Sequence, residues 1–158
     1  MKKQKGFSLI ELLIVVAIIL IIAAIAIPNL MRARMSANES SAAGSIRTIN
    51  TAEVSFATTY PTVGFGALGA LGGAQPCTPS STTGCFIDNF LATNGGGAGK
   101  DGYSFSITAP TLTGYSSNAD AININQTGTR SFCSDQTGVI YYLGGANGCT
   151  PGGGTPLQ

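Results

Sequence analysis

One carboxylate, Glu11, and four cysteines, Cys77, Cys85, Cys133 and Cys149, are the side chains of this 158-residue sequence whose chemistry most needs an account. Glu11 stands inside an apolar run from Phe7 to Ile27 in which Ser8 is the only other non-apolar residue. A carboxylate within a membrane segment costs on the order of 2.5–3.5 kcal/mol on insertion scales, so it is expected to have a partner or a task. The cysteines all follow that run, and an even number there reads as disulfides formed in an oxidising compartment. Three pairings are possible. The local ones, Cys77–Cys85 and Cys133–Cys149, are favoured; they close loops of seven and fifteen intervening residues. The larger would contribute about 3 kcal/mol in the chain-entropy account. A zinc site is not expected, because the sequence has no C-x-x-C pair and no histidine.

Other arrangements that suggest catalysis fail on their spacing. Gly64-Phe65-Gly66-Ala67-Leu68-Gly69 satisfies G-x-G-x-x-G, but a dinucleotide site needs a strand before it and a helix after it, and Gly72-Gly73 and Pro76 follow instead. Gly99-Lys100 is like the end of a phosphate-binding loop, yet Asn94 stands where the first glycine is needed and Asp101 where Ser or Thr is needed. Without histidine, neither a Ser-His-Asp nor a Cys-His arrangement can form. Asp88, Asp101, Asp120 and Asp135 lack EF-hand spacing and suit turns and caps. No enzyme activity, cofactor or metal is expected. Only 9% of residues are charged, and Lys2, Lys3 and Lys5 precede the apolar run, so there is no basic surface for nucleic acid.

The elements that must position these groups begin with the run itself. At ~1.5 Å per residue, Phe7 to Ile27 makes a helix of roughly 31 Å, close to the ~30 Å hydrocarbon thickness of a bilayer. A secretory signal peptide would explain the basic start and the A-x-A-like Ala24-Ile25-Ala26, but its apolar core is shorter and carries no acid. A plain signal anchor explains the length and the cytoplasmic lysines by the positive-inside rule but gives Glu11 no role. Downstream, Ala42, Ile46, Ile49, Ala52 and Phe56 recur at helical spacing with Glu39, Arg47 and Glu53 interspersed, which predicts an amphipathic helix with one stripe on a globular head. Gly44 weakens that helix by up to ~1 kcal/mol unless close packing requires it. Tyr60-Pro61 closes it. All glycines but Gly6 and Gly44 follow Pro61, and residues 61–100 form a long connection with several apolar anchors. Period-two patterns then predict strands at 103–107, 121–125, 131–133 and 139–143 in one antiparallel sheet, with Asp135-Gln136-Thr137-Gly138 as a hairpin turn. The tail from Asn147 to Gln158 is expected to be loose beyond Cys149.

Gly6-Phe7-Ser8-Leu9-Ile10-Glu11, after a short basic leader and before Leu12-Leu13-Ile14-Val15-Val16-Ala17, closely resembles the class III leader of the type IV pilin and pseudopilin family. The resemblance implies a cut between Gly6 and Phe7 by a membrane prepilin peptidase on the cytoplasmic side, and N-methylation of Phe7. The new amine gives Glu11 its partner: the carboxylate of one subunit would neutralise the amine of its neighbour, and burial would penalise a subunit docked out of register. The family assigns Glu11 this assembly role. Pilins similar to this chain carry a proline where Pro28 stands and stay helical beyond it, so Pro28 is expected to kink or locally melt the helix without ending it. The fold implied is α+β: a long N-terminal helix, transmembrane in its first half and amphipathic in its second, on a small antiparallel sheet. The expected divisions are leader 1–6, filament-core helix 7–28, amphipathic helix 29–60 and head 61–158. Before assembly the chain would cross the inner membrane once with its head in the periplasm. It would then enter an extracellular helical filament of identical copies, using an assembly ATPase and a membrane platform. A pseudopilin of type II secretion and a membrane-anchored binding module that never polymerises are the alternatives.

Overall fold

The computed structural model describes residues 7–157. The chain divides into two compact units, Met1–Arg34 and Met35–Gln158. One helix, α1 (Leu9–Thr59), runs through both ranges. In the first unit it includes Pro28, and the helix is unbroken there. Proline has no N–H to donate, so the carbonyl of Ala24 loses its usual helical partner.

In the second unit the predicted stripe is the core. Ala42, Ile46, Ile49, Ala52 and Phe56 are all buried, and with Leu71, Leu91, Tyr103, Phe105 and Phe132 they form one apolar cluster between helix and sheet. Two one-turn helices, α2 (Leu68–Leu71) and α3 (Asn89–Ala92), lie in the connection and bury Leu68, Leu71, Leu91 and Ala92. Gly44 meets nothing within van der Waals reach of a built Cβ. No close approach within the chain requires glycine there. Gly44→Ala is therefore expected to stabilise the head by several tenths of a kcal/mol, up to ~1, read as a rise in its thermal midpoint; an unchanged or lowered midpoint would contradict this.

The sheet is antiparallel in the order β1-β2-β3-β4-β5: β1 (Tyr103–Thr108), β2 (Ser116–Ala121), β3 (Arg130–Asp135), β4 (Ile140–Gly144) and β5 (Thr155–Pro156). The α+β architecture expected from the sequence is the one observed. Asp135 and Gly138 close the β3–β4 turn as predicted, with the Gly138 N–H donating to the Asp135 carbonyl at 2.9 Å and Gly138 at φ 75°. Both expected disulfides, Cys77–Cys85 and Cys133–Cys149, are present.

Two expectations are corrected. The strand placed at 121–125 instead runs from Ser116 to Ala121, and the alternating Ile122-Asn123-Ile124-Asn125 forms a turn in which the Thr127 N–H donates to the Asn123 carbonyl. β2 has no large apolar residue because its neighbours supply them. Ala119 lies between Phe105 of β1 and Phe132 of β3, and Ala121 pairs with Tyr103, so small side chains leave room for the rings. The tail is also not loose: Thr155 and Pro156 pair with Tyr142 and Tyr141, and the Leu157 N–H donates to the Ile140 carbonyl. That pairing satisfies backbone groups along the outer edge of β4. It brings Gly154 so near the Tyr142 carbonyl that a Cβ would stand 2.8 Å from its oxygen.

Candidate functional site

The N-terminal site starts with a helix boundary. Phe7 and Ser8 are outside the helix, Leu9 is its first residue, and the Ser8 carbonyl accepts from the Leu12 N–H at 3.3 Å. Ser8 is thus the N-cap and Glu11 the third helical residue. Glu11 Oε2 accepts from the Ser8 N–H at 2.9 Å, the backward arm of a capping box. This satisfies a backbone donor that no turn of helix precedes, and it sets negative charge at the positive end of the helix dipole. Gly6, the other half of the expected cleavage bond, lies outside the described residues.

Beyond this cap the helix is apolar around its circumference. From Leu9 to Leu30 every residue except the half-buried Ala23 is exposed within the chain, including Ile14, Val15, Ile18, Ile21 and Ile25. A helix apolar on all sides belongs in lipid or among other apolar helices, and this one is long and apolar enough to cross a membrane. The chemistry available at this segment is association and charge neutralisation.

The second unit holds two carboxylates that the sequence reading left on the polar side of α1. Glu39 is 5% exposed and Glu53 fully buried. Glu39 Oε1 accepts from the N–H and hydroxyl of Thr129, both at 2.7 Å, and Oε2 from Arg130 Nε at 2.8 Å, with Arg130 Nη2 completing the ion pair at 2.7 Å. Burial pushes its pKa up, but the Thr129 donors and the Arg130 guanidinium outweigh burial and hold it below the ordinary value. Glu53 has one partner, the Gly66 N–H at 2.8 Å to Oε2, while Oε1 is buried without a hydrogen bond. Desolvation dominates there and raises its pKa to about 7. The Gly66 amide of the G-x-G-x-x-G run is therefore consumed by the helix; among the described residues no strand precedes that run, and α2 starts within it at Leu68. Lys100 is likewise engaged, donating to Ser41, Ser45 and Asp101. The signal for the two buried acids was their spacing: Glu39, Ala42, Ile46, Ile49, Glu53 and Phe56 continue one stripe at alternating steps of three and four.

Residues 1–27 match the family described as "Prokaryotic N-terminal methylation motif". The chain is 64% identical over 39 residues to the type IV wide pilus major component PilA4 of Thermus thermophilus, a stretch covering 25% of this chain and 30% of that protein. It is 48% identical over 54 residues to the type IV major pilin protein PilA of Myxococcus xanthus, covering 34% and 24%. The N-terminal segment is similar to those of type IV pilins. The chain spans less than a third of the length of these pilin relatives. The pilin likeness rests on the apolar helix with its N-terminal motif, and the fold, a long helix with a small antiparallel sheet, agrees with it.

Proposed function

We propose that this chain is a prepilin. Its leader is removed between Gly6 and Phe7 by a prepilin peptidase, its Phe7 amine is methylated, and its apolar helices then pack side by side as the core of a type IV pilus filament. The observation that carries this reading is a helix apolar around its whole circumference with a single carboxylate, Glu11, in its first turn. In the precursor that carboxylate accepts a backbone N–H of its own chain. In the filament it exchanges this for the charged amine of a neighbouring Phe7, a stronger, charge-assisted hydrogen bond once water is excluded. Interhelical packing and this pairing replace lipid contact, so membrane and filament are successive environments of one helix. The head is placed on the periplasmic side before assembly, opposite the three lysines. An inner-membrane platform and an assembly ATPase supply insertion and work.

Glu11→Leu tests the reading. It removes the charge while leaving the helix more apolar, so the protein is expected to accumulate in the membrane while surface filaments fall to a few per cent or less, counted by electron microscopy of sheared material. Filaments of normal number and length would refute the role given to Glu11. Mass spectrometry of the same filaments is expected to find a chain beginning at methylated Phe7 and holding both disulfides.

A further inference from the structure

A cavity of about 220 Å³ opens between α1 and the sheet, lined by Glu39, Ala43, Arg47, Arg130, Phe132 and Leu157, with Ser40 at its edge. Its charges do not balance. Both oxygens of Glu39 are occupied, one by Thr129 and the other by Arg130. Arg47 is exposed and has no ion-pair partner among the described residues. The Arg130 guanidinium is held over the rings of Phe132, at 5.6 Å, and Tyr142, at 5.3 Å, and its aim is fixed before anything binds. The cavity thus offers one uncompensated guanidinium beside an apolar wall. It is smaller than the ~300 Å³ at which pockets for small-molecule ligands begin, and suits a side chain better than a cofactor.

We propose that this cavity receives Asp88, with Phe90 beside it, from the head of a second copy of the chain. The inference rests on the filament reading above and names one head-to-head contact within it. The other acids of the head are less exposed or more heavily engaged. Glu39 and Glu53 are buried, Asp101 is tied to Lys100 and Ser41, Asp135 takes the N–H and hydroxyl of Thr137, and Asp120 is half-buried and takes the Gly148 N–H. Asp88 is exposed. Its Oδ1 caps α3 by accepting from the Leu91 N–H at 2.9 Å, which leaves Oδ2 without a hydrogen bond. Phe90, two residues on, is 54% exposed and supplies an apolar surface to match the partly exposed Leu157. Donor and receiving patches are different surfaces of the same chain. A contact between two such surfaces is heterologous and propagates into a ring or helix instead of closing as a dimer, as a filament requires.

The test is charge exchange in cells making filaments, with sheared-filament yield as readout. Arg47→Asp and Asp88→Arg are each expected to lower the yield by about tenfold or more, through like charges placed together, and the double exchange is expected to restore most of it. Because both native pairs of cysteines are bonded, Arg47→Cys with Asp88→Cys in one chain gives the only free thiols. A short bis-maleimide on intact filaments is expected to yield a ladder of covalent multimers, which neither single variant gives. Filaments at normal yield in both charge variants, or no ladder from normally assembled double-cysteine filaments, would overturn this contact and leave the filament reading standing. No filaments from the unaltered chain would overturn both.

Discussion

Glu39→Ala is expected to destabilise the head by about 3 kcal/mol, the lower end of the range for breaking a buried ion pair. The substitution removes the acceptor of three hydrogen bonds and the anion of one ion pair that join α1 to the start of β3. The Thr129 N–H and the Arg130 guanidinium lose their partner. The estimate stays at the low end because the Arg130 side chain is 37% exposed and water can solvate part of the stranded charge. Glu39→Gln should recover a part, since an amide oxygen still accepts from one side, while the amide NH2 meets donors on the other and neutralises none of Arg130's charge. Denaturant midpoints of the full-length protein in detergent, followed by near-ultraviolet circular dichroism, provide the measurement. A loss below ~1 kcal/mol for the alanine variant would show that the pair contributes no more than a surface salt bridge. For a domain whose total stability is of order 5–15 kcal/mol, the expected loss is a large fraction.

What could be read from the sequence was whatever a local period or a covalent rule carries. The apolar run, the buried stripe from Ala42 to Phe56, the Asp135–Gly138 turn and the disulfide pairs all depend on patterns within 21 residues of sequence, and such patterns are visible in one chain. The parts that escaped depend on partners far away in sequence. β2 reads Ser-Ser-Asn-Ala-Asp-Ala, a poor strand by propensity, and is one because Phe105 and Phe132 flank it and need small neighbours. β5 is only two residues long, one of them a proline, and exists because β4 has an edge to cover. Glu39 and Glu53 were assigned to the polar side of α1 by charge alone, although their positions continue the apolar stripe. Position decided: one meets Arg130, 91 residues away, and the other the Gly66 amide. The Glu11 site shows a milder form of this. Ser8-x-x-Glu11 is a capping-box spacing that the sequence displays openly, and in this chain the Glu11 carboxylate meets the Ser8 N–H.

Glu53 makes the opposite demand on pH from Glu39, and the two together should give the head a stability maximum in mildly acidic solution. With a folded pKa of about 7 against 4.5 ordinarily, Glu53 binds its proton more tightly in the folded head than in the unfolded chain. Its contribution is fully present below about pH 4.5 and is lost as pH rises through about 7, since above that the folded state must bury a carboxylate whose Oε1 has no hydrogen bond. A shift of that size corresponds to at most about 3 kcal/mol between the two limits. Tyr115 is the titratable neighbour that feels Glu53, and burial first, then Glu53 and Asp135, raise its pKa further above the working range, so it stays neutral and cannot compensate the charge. Glu39 runs the other way. Its folded pKa lies below 4.5, so its contribution is present above that value and lost as pH falls through the folded one. Denaturant midpoints taken from pH 3 to pH 8.5 should therefore rise from the acid side, pass a maximum near pH 4.5, and fall along an alkaline limb between about 4.5 and 7 before levelling off. Glu53→Gln keeps an acceptor for the Gly66 N–H and has no proton to lose. It should flatten the alkaline limb and leave the acid limb intact, because that limb belongs to Glu39 and to Asp101, whose pKa the Ser41 hydroxyl and Lys100 hold below its ordinary value. An alkaline limb that survives this substitution would assign the falling stability to another group and leave Glu53 a buried acid with no part in it.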